Sequence, residues 1–206
     1  MNATPFRFSI IVPTYDRRDI LLDTVASVAA TTRPWPCELI VVIDGSRDGS
    51  AEALRELVLP LPIKVIDQPN RGAAAARNAG AAVARGRYLL FLDDDMIVEP
   101  DLLLQHDRTL EDADAVVGHI QIDRRSPANI LTRGVERWAT ERRLRLDQSG
   151  GQLGIEDFLT GQLSVRTEWF ARVSGFDGAL TAEGTDRKST RLNSSHLRRS
   201  RMPSSA

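Results

Sequence analysis

The sequence predicts an α/β fold built around a parallel sheet, and three observations support this prediction. Short apolar runs alternate with segments of helical spacing over the first 125 residues, which is typical of repeated β-α units. The run 88–92 is apolar on both faces, which indicates a central strand covered by helices on both sides. The chain has 206 residues, of which 42% are hydrophobic, so it is long enough and apolar enough to bury a core.

The individual elements follow from these patterns in chain order. Six mostly apolar runs predict strands over residues 8–12, 38–43, 63–66, 88–92, 115–120 and 158–165. The segments between and after them predict helices over residues 19–30, 50–58, 72–85, 130–146 and 168–173, with one more that Pro100 and Asp101 open. We expect Pro13 to end the first strand and Ser50 to cap the second helix.

The C-terminal segment 186–206 differs in composition from the rest of the chain. Residues 1–185 contain 21 Lys+Arg and 27 Asp+Glu, a net charge of −6, whereas residues 186–206 contain six basic residues and one acid, a net charge of +5. On composition alone the segment is a disordered basic arm of the kind that binds anionic lipid or RNA. Its two ends, DRKSTRLNSSH and SRMPSSA, also resemble the constant parts of a translated sequencing adapter. We therefore expect the natural domain to be cut near Thr185 and residues 186–206 to be a non-native, disordered tail.

Composition also excludes several classes of protein. The net charge of −1 gives no reason to expect a nucleic acid partner. Cys37 is the single cysteine, which excludes an intrachain disulfide. No apolar run approaches the ~18 residues of a membrane span, and residues 1–7 are too polar for a signal peptide. We expect the protein in the cytoplasm, and contact with the inner face of the plasma membrane stays open.

The strongest local motif is an acidic triplet, Asp93, Asp94 and Asp95, which directly follows the predicted strand 88–92. Adjacent carboxylates repel one another, so such a cluster needs a compensating cation. Carboxylates at positions i and i+2 suit a divalent cation such as Mg²⁺ or Mn²⁺, which in turn neutralises a diphosphate leaving group. An exposed acidic loop that only ends the strand is the alternative, and the triplet alone leaves both open.

Two further polar segments, residues 13–17 and 44–46, also follow predicted strands. In open parallel α/β sheets, ligands bind outside the carboxyl ends of the strands, near a switch in strand order. Polar groups gathered at that edge therefore predict a binding site there.

Taken together, these motifs resemble the inverting family 2 glycosyltransferases. The segments that carry the resemblance occur in the family's order, and they are residues 8–17, 44–50, 70–72 with 76–78, and 91–95. Residues 160–165 and 175–177 are similar to the family's acceptor-side segments. The resemblance extends over nearly all of residues 6–185 and implies the GT-A fold, a three-layer α/β/α sandwich, here incomplete at its C-terminus.

The same resemblance implies an activity for residues 1–185. A sugar would pass from a nucleotide-diphosphate donor, such as a UDP-, GDP- or dTDP-sugar, to an acceptor hydroxyl. The acceptor would be a sugar, a lipid-linked molecule or a small molecule, as in polysaccharide or cell-wall biosynthesis.

The resemblance also implies residues that hold the base of the donor nucleotide. Pro13 and Tyr15 would frame the base, and Asp44 would accept a hydrogen bond from its imide N–H. Two positions depart from the family pattern, since Asp16 stands where Asn is common and Ile43 stands where a second acid is frequent. Both departures bear on nucleotide preference.

Four further residues would serve the diphosphate and the metal. Arg77 would pair with the diphosphate through its planar guanidinium. Asp95 would bind the divalent cation, Mn²⁺ or Mg²⁺, and Asp93 or Asp94 would contact the ribose or the metal shell.

The resemblance leaves the catalytic base unassigned. Inverting transfer needs a base that deprotonates the acceptor hydroxyl, and family members supply it from a Glu-Asp pair shortly after Gly-Phe-Asp. Here the acids that follow residues 175–177 are Glu183 and Asp186, and Asp186 opens the suspected tail. We therefore expect this chain to bind a nucleotide-sugar but to transfer the sugar poorly or not at all.

Two other functions stay open at this point. Residues 89–95 also fit the opening motif of a haloacid-dehalogenase-type phosphatase, although that chemistry needs a downstream lysine and only Lys188 follows. A nucleotide-binding module without transfer activity is the non-enzymatic alternative. The arginines at 124, 125, 142, 143 and 145 suit either an anionic lipid-linked acceptor or a solvated helix face.

Overall fold

The computed structural model describes residues 5–118, 130–148, 160–177 and 200–201. Its strands are β1 (Phe6–Thr14), β2 (Cys37–Asp44), β3 (Ile63–Gln68), β4 (Gly86–Leu92), β5 (Ala115–Val117), β6 (Gln162–Arg166) and β7 (Ser200–Arg201). Its helices are α1 (Arg18–Ala29), α2 (Ser50–Glu56), α3 (Ala73–Val83), α4 (Leu102–Leu110), α5 (Ile130–Gln148) and α6 (Thr167–Arg172). Strands and helices alternate from β1 to β5, as the sequence predicts.

The strands form one sheet in the order β3-β2-β1-β4-β6-β5-β7. β3, β2, β1 and β4 are parallel to one another, and β4 is central, as its apolar faces predict. β6 runs antiparallel to both β4 and β5, so the sheet is mixed and the prediction of a parallel sheet is wrong for this part. An antiparallel strand beside an otherwise parallel sheet is common, and the alternation of the first five strands carries no information about it.

Helices cover both faces of the sheet, which confirms the three-layer α/β/α sandwich. One face carries α1, α2 and α4, with Leu21 and Leu103 fully buried in its core. The other face carries α3 and α6, which contribute Ala76 and Phe170 to a second core. Because successive strand residues point to opposite faces, a sheet covered on both sides needs strands that are apolar throughout.

The first strand continues past Pro13, contrary to the prediction. β1 pairs with β2 as far as Thr14, whereas its pairing with β4 ends at Ile11. Proline has no N–H to donate, and here it lies where only the ladder to β2 continues. Pairing with a neighbouring strand therefore outweighs the local signal of the proline.

The start of α2 also differs from the prediction. Gly49, with a φ of 82°, is the N-cap residue. Asp48 Oδ1 accepts hydrogen bonds from the backbone N and the Oγ of Ser50, at 3.1 and 2.6 Å. Ser50 is thus the first helical residue, and the carboxylate that satisfies its N–H lies two residues earlier.

The two later predicted strands are confirmed in part. β5 covers only the first residues of the predicted 115–120, and residues 119–120 lie outside the described part of the chain. β6 begins at Gln162, because Thr160 and Gly161 form a turn, and residues 158–159 also lie outside the described part. The Gly161 carbonyl accepts the Asp93 N–H at 3.2 Å, which ties this turn to the end of β4.

α3 packs very close to the sheet. A Cβ on Gly80 would lie 2.5 Å from Ile11 Cγ2 and 3.2 Å from Val42 Cγ2, so the helix can pack at this distance only with glycine there. Arg77 lies one turn earlier on the same face of α3 and is buried. The close packing of α3 therefore places the buried Arg77 side chain near the end of β4.

α5 is long, polar and rich in arginine. Ala139, Arg142 and Leu146 are buried, whereas Arg143 and Arg145 are exposed. The Arg142 guanidinium lies 6.0 Å from the centre of the Trp138 ring. The arginines at 124 and 125 lie outside the described residues. Among the helices described here, none is long and apolar enough to cross a membrane.

A two-residue strand lies inside the segment that the sequence predicts to be a tail. Ser200 and Arg201 pair with Ala115 and Val116 of β5, in parallel. The other residues of 186–206 lie outside the described part of the chain. The prediction that 186–206 is a non-native tail stays a prediction.

Candidate active site

The candidate site lies where β1 and β4 end, at the switch in strand order. β1 has β2 on one side and β4 on the other, so the chain proceeds in opposite directions along the sheet from this point. The polar segments 13–17, 44–46 and 93–95 meet at this edge, as the sequence predicts. Hydrogen bonds join the first segment to both of the others.

An open cleft of about 610 Å³ lies beside the ends of β1, β2 and β3. The residues that line it are Tyr15, Asp16, Gly45, Ser46, Arg47, Asp67, Gln68, Pro69 and Asn70. Tyr15 is 51% exposed, so a face of its ring is available to a flat ligand. Gly45 has a φ of +85°, and a Cβ there would lie 2.8 Å from the Asn70 nitrogen. The wall of the cleft therefore needs glycine at this position.

Asp44 is buried at the end of β2, next to the cleft. Its Oδ1 accepts hydrogen bonds from Gln68 Nε2 at 2.7 Å and from the Arg71 nitrogen at 2.9 Å. Its Oδ2 accepts one from the Gly72 nitrogen at 2.8 Å. A carboxylate has about four acceptor positions, so these contacts leave room for about one more donor. Asp44 therefore organises the loop that leads into α3.

A reciprocal pair of hydrogen bonds joins the loops that follow β1 and β2. The Asp16 nitrogen donates to Ser46 Oγ at 3.0 Å, and the Arg47 nitrogen donates to Asp16 Oδ1 at 2.8 Å. Asp16 has a φ of 50°, a left-handed conformation that Asp and Asn tolerate better than most residues. This arrangement fixes the backbone next to Tyr15.

Asp48 links the same two loops at a second point. Its Oδ2 accepts a hydrogen bond from the Arg18 nitrogen at 2.7 Å, at the start of α1. Burial raises the pKa of Asp48, but the hydrogen bonds from Ser50 and from the Arg18 backbone outweigh burial and lower the pKa overall. We call residues 14–18, 44–50 and 68–72 the polar loop cluster, since hydrogen bonds to side chains connect all three segments.

The three carboxylates of the acidic triplet point in different directions. Asp94 is buried, and its Oδ2 accepts a hydrogen bond from Thr14 Oγ1 at 2.7 Å. Its backbone carbonyl accepts another from Thr24 Oγ1, also at 2.7 Å. The side chains of Asp93 and Asp95 are 38% and 53% exposed. Burial raises the pKa of the Asp94 carboxyl, and the Thr14 hydrogen bond opposes that rise.

Two arginines supply the compensating positive charge that the sequence demands. Arg77, from α3, forms an ion pair with Asp93, and its side chain is only 6% exposed. Arg17 lies between the other two carboxylates, with Nη1 3.2 Å from Asp94 Oδ1 and 3.4 Å from Asp95 Oδ2. The repulsion within the triplet is thus reduced from both sides by residues of the protein.

The donor set of the triplet fits a divalent cation that a second ligand helps to hold. Among the described residues, no group of three or more His, Cys, Asp or Glu is arranged to hold a metal ion by itself. Mg²⁺ and similar cations are held in many enzymes by one or two carboxylates together with substrate phosphates. Asp93 and Asp95 are the partly exposed carboxylates of the triplet, whereas Asp94 faces the interior.

The opposite side of this edge is built from aromatic rings. Phe91, Phe170 and Phe176, which we call the aromatic cluster, have ring centroids between 4.9 and 5.2 Å apart. Asn78 of α3 donates to the Phe176 carbonyl at 2.9 Å and accepts from the Phe176 nitrogen at 3.0 Å. These contacts hold residues 175–177, the predicted acceptor-side segment, against α3.

A buried histidine lies behind β6. His106 of α4 is 1% exposed, and its Nδ1 lies 2.7 Å from Ser164 Oγ. Its Nε2 has no hydrogen-bond partner, and neither has the buried Oε1 of Gln162. Desolvation lowers the pKa of His106 to about 4, so the ring is neutral near pH 7.

The sequence predicted correctly that three polar segments meet at one edge of the sheet, but it did not single out several residues that shape this edge. Pro13 is buried inside β1, one residue before Thr14. Asp16, which joins the loops after β1 and β2, could be identified as a turn residue from the sequence, because Asp tolerates a left-handed backbone. Arg17 lies within the motif 8–17, but the sequence assigns it no role. Nothing local marks Gln68 as a partner of Asp44. Glu183 and Asp186, the acids considered for the catalytic base, lie outside the described residues.

The fold is that of an α/β protein with a candidate binding site at the switch in strand order, where ligands bind in open α/β sheets. A sequence profile described as Glycosyl transferase family 2 matches residues 9–170. The chain belongs to that family, and the phosphatase alternative has no support from this match.

Curated relatives match shorter parts of the chain. The putative teichuronic acid biosynthesis glycosyltransferase TuaG of Bacillus subtilis is 42% identical over 90 residues, which cover 42% of this chain and 35% of TuaG. The succinoglycan biosynthesis protein ExoO of Rhizobium meliloti is 29% identical over 160 residues, which cover 78% of this chain and 44% of ExoO. The chain thus spans less than half the length of these relatives.

Solved structures share the fold. TarS of S. aureus (residues 1–349) superposes with a TM-score of 0.71 at 19% identity, covering 95% of this chain and 57% of that one. The mannosyltransferase PcManGT of Pyrobaculum calidifontis, solved with GDP-Man and Mn²⁺, gives a TM-score of 0.69 at 22% identity, covering 86% of this chain and 49% of that one. At these identities the likeness concerns the fold alone.

Proposed function

We propose that this domain serves the transfer of a sugar from a nucleoside-diphosphate donor to an acceptor hydroxyl, with inversion at the anomeric carbon. The observation that supports this most directly is the cleft lined by Tyr15 and Ser46, which lies at the same sheet edge as the half-exposed Asp93 and Asp95. In such donors the ribose joins the base to the diphosphate. The cleft and the acidic triplet lie side by side along this edge, so one can take the base and the other the diphosphate. The donor is a UDP-, GDP- or dTDP-sugar. This chain, in which the catalytic base is unassigned, would bind the donor but transfer the sugar poorly or not at all.

The base of the nucleotide is assigned to the cleft. Tyr15 offers a half-exposed ring for stacking, and Pro13 supports the strand end from which Tyr15 projects. Asp44 accepts the imide N–H of the base with the acceptor position that its three protein donors leave. Because Asp44 also holds the loop 68–72, its role in binding is coupled to the shape of the cleft.

The diphosphate is assigned to the acidic triplet. Asp95 and Asp93 would hold Mn²⁺ or Mg²⁺, which supplies positive charge to the leaving diphosphate. Arg77 is buried against Asp93, so it aligns that carboxylate and adds its charge to the diphosphate site from behind. Asp94 is assigned a positioning role in place of ribose contact, since Thr14 and Thr24 hold it inwards.

The acceptor is assigned to the side of the aromatic cluster, where residues 175–177 are tied to Asn78. Names of relatives support a polysaccharide context, since TuaG is described for teichuronic acid and ExoO for succinoglycan biosynthesis. PcManGT was solved with GDP-Man and Mn²⁺, and TarS with UDP-GlcNAc, which supports a metal-bound nucleotide-sugar. The acceptor stays at the level of a sugar, a lipid-linked or a small molecule, and the cytoplasm, with contact to the inner membrane face, is the proposed location.

Calorimetric titration with UDP, in the presence and absence of Mn²⁺, tests this proposal. We expect Mn²⁺ to strengthen UDP binding, and Asp95→Ala to abolish that strengthening. Asp112→Ala is the matched control, because Asp112 is an exposed acid in the turn before β5, at the opposite edge of the sheet. If no nucleoside diphosphate binds, with or without Mn²⁺, the proposal is wrong. If binding is tight but independent of Mn²⁺, the metal role fails and the nucleotide role survives.

A further inference from the structure

Arg17 lies at the start of α1 with a fixed backbone and an exposed side chain. Its carbonyl accepts the Leu21 N–H at 2.9 Å, so the residue is part of the first helical turn. Its side chain is 44% exposed and contacts both Asp94 and Asp95 through Nη1. A long side chain on a fixed base can exchange one carboxylate contact for another without moving the fold.

The two carboxylates that Arg17 contacts have different surroundings. The Asp94 side chain is 9% exposed and also bound by Thr14, so that contact holds the arginine in place. The Asp95 side chain is 53% exposed, and its distance of 3.4 Å to Arg17 is the longer of the two. The contact to Asp95 is therefore the weaker one, and it lies on the side open to solvent.

The charges of the triplet and its arginines nearly balance. Asp93, Asp94 and Asp95 carry three negative charges, and Arg17 and Arg77 carry two positive ones. These five side chains by themselves sum to a formal charge of −1, and without Arg17 the other four sum to −2. Arg77 cannot move away in the same manner, because its side chain is buried against Asp93.

We propose that Arg17 is a built-in competitor of the divalent cation at Asp95, and that it sets the cation concentration at which the acidic triplet is occupied. The inference rests on the proposed function, because it takes Asp95 as a ligand of that cation. A guanidinium and a divalent cation seek the same carboxylate oxygens, so each weakens the binding of the other. Reciprocally, a bound cation releases the Arg17 guanidinium from Asp95 and makes it available to an anionic ligand in the neighbouring cleft.

Titration of the full chain with Mn²⁺ alone, with free Mn²⁺ followed by its electron paramagnetic resonance signal, tests this role. We expect Arg17→Gln to tighten Mn²⁺ binding by about two- to fivefold, the range that an exposed ion pair supports. Arg17→Lys keeps the charge and should return the affinity to near the wild-type value. A merely structural role for Arg17 would weaken Mn²⁺ binding instead.

Arg18→Gln is the matched control, since it removes the same charge from the adjacent residue. The Arg18 guanidinium lies near Gly49, with Nη1 4.0 Å from where a Cβ on that glycine would lie, and the Arg18 backbone nitrogen donates to Asp48 Oδ2. We expect Arg18→Gln to leave the Mn²⁺ affinity near that of the wild type. Arg17→Ser is a second test of the same contact, because serine is a favoured N-cap and preserves the start of α1.

The outcomes separate this inference from the function on which it rests. If the wild type binds Mn²⁺ but Arg17→Gln and Arg17→Ser bind it equally or more weakly, the role of Arg17 is overturned and the metal site stands. Equal tightening by Arg18→Gln also overturns it, because the effect is then general charge. If the wild type binds no Mn²⁺, with or without UDP, the metal site and the inference fall together.

Discussion

The two sides of the candidate site are stabilised by different forces. In the polar loop cluster, side-chain oxygens of Asp16, Asp44 and Asp48 bind backbone N–H groups of neighbouring loops. In the aromatic cluster, the rings of Phe91 and Phe176 pack in the buried core between the sheet and its helices. Each hydrogen bond contributes about 0.5–1.5 kcal/mol net, whereas burial of a large aromatic side chain contributes several times that amount. A substitution in the polar loop cluster should therefore cost less stability than a substitution in the aromatic cluster.

Truncation of an aromatic ring should have the largest effect on stability. We expect Phe91→Ala to lower the free energy of unfolding by about 3–5 kcal/mol, because it leaves a cavity next to Phe170 and Phe176. Urea denaturation followed by circular dichroism measures this. Phe6→Ala, at the half-buried start of β1, is the control and should cost less than half as much. Equal losses in the two variants would contradict the contrast between the two sides.

Acidification should act through His106, which lies on the face of the sheet that α4 covers, opposite to the aromatic cluster. The ring is neutral in the folded state, with its pKa lowered to about 4 from an ordinary value of 6.5, because it is desolvated. As pH falls from about 6.5 to about 4, the unfolded chain takes up the proton first, so stability is lost over that window, by on the order of 3 kcal/mol. Above pH 6.5 the contribution is fully retained.

His106→Gln isolates this effect from that of the carboxylates. Glutamine can keep the hydrogen bond to Ser164 Oγ but does not titrate. The stability of the variant should therefore fall less than that of the wild type between pH 6.5 and pH 4, as measured by urea denaturation at several pH values. Parallel pH profiles for the two proteins would show that His106 is not buried as described.

Removal of a carboxylate from the polar loop cluster should have a smaller effect on stability. Asp44→Ala leaves the N–H groups of Arg71 and Gly72 without their acceptor, and we expect a loss of about 1–3 kcal/mol. UDP binding should weaken in parallel, since the same loop borders the cleft. Asp67→Ala is the control, because Asp67 is an exposed acid on the same cleft wall, and it should change stability by less than about 0.5 kcal/mol. An equal loss in both variants would argue against a special role for Asp44.

The smallest effect on stability is expected from substitution of Asp16, which joins the loops after β1 and β2. Asp16→Ala removes the acceptor for the Arg47 N–H and places a less tolerant residue at a φ of 50°. We expect UDP to bind about two- to tenfold more weakly, and the Arg47 amide to exchange its hydrogen faster. Asp16→Asn keeps an oxygen acceptor and a residue suited to this backbone, so it should remain close to the wild type. A wild-type exchange rate for Arg47 in Asp16→Ala would show that Asp16 has no stabilising role.

Much of the fold could be predicted because its signals are local. The alternation of apolar runs with helical segments gave the strands β1 to β4 and the helices between them. It also placed residues 13–17, 44–46 and 93–95 at one edge, since parallel strands end at the same side of a sheet. The antiparallel direction of β6 could not be predicted from this alternation, because it depends on which edge of β4 is free to pair with β6.

The orientation of the site residues could not be predicted from the sequence. Asp93, Asp94 and Asp95 are identical and adjacent, yet Asp94 turns inwards because of Thr14, which is 80 residues away in the chain. The sequence places Arg77 on a helix near the predicted diphosphate site, but it contains no sign that the packing of α3 buries the side chain against Asp93. The orientation of each side chain is decided by contacts with residues distant in sequence, and the sequence alone does not show which of these residues are close in space.

The glycine at position 80 has a consequence for the site beyond helix packing. Without a side chain it sets the spacing between α3 and the sheet, where Ile11 and Val42 lie beneath it. From a helix seated at that depth, Arg77 contacts Asp93, 16 residues further along the chain. The charge balance of the acidic triplet therefore depends on how closely α3 packs against the sheet. We expect Gly80→Ala to displace α3 and so to weaken the ion pair between Arg77 and Asp93, although no charged residue is changed.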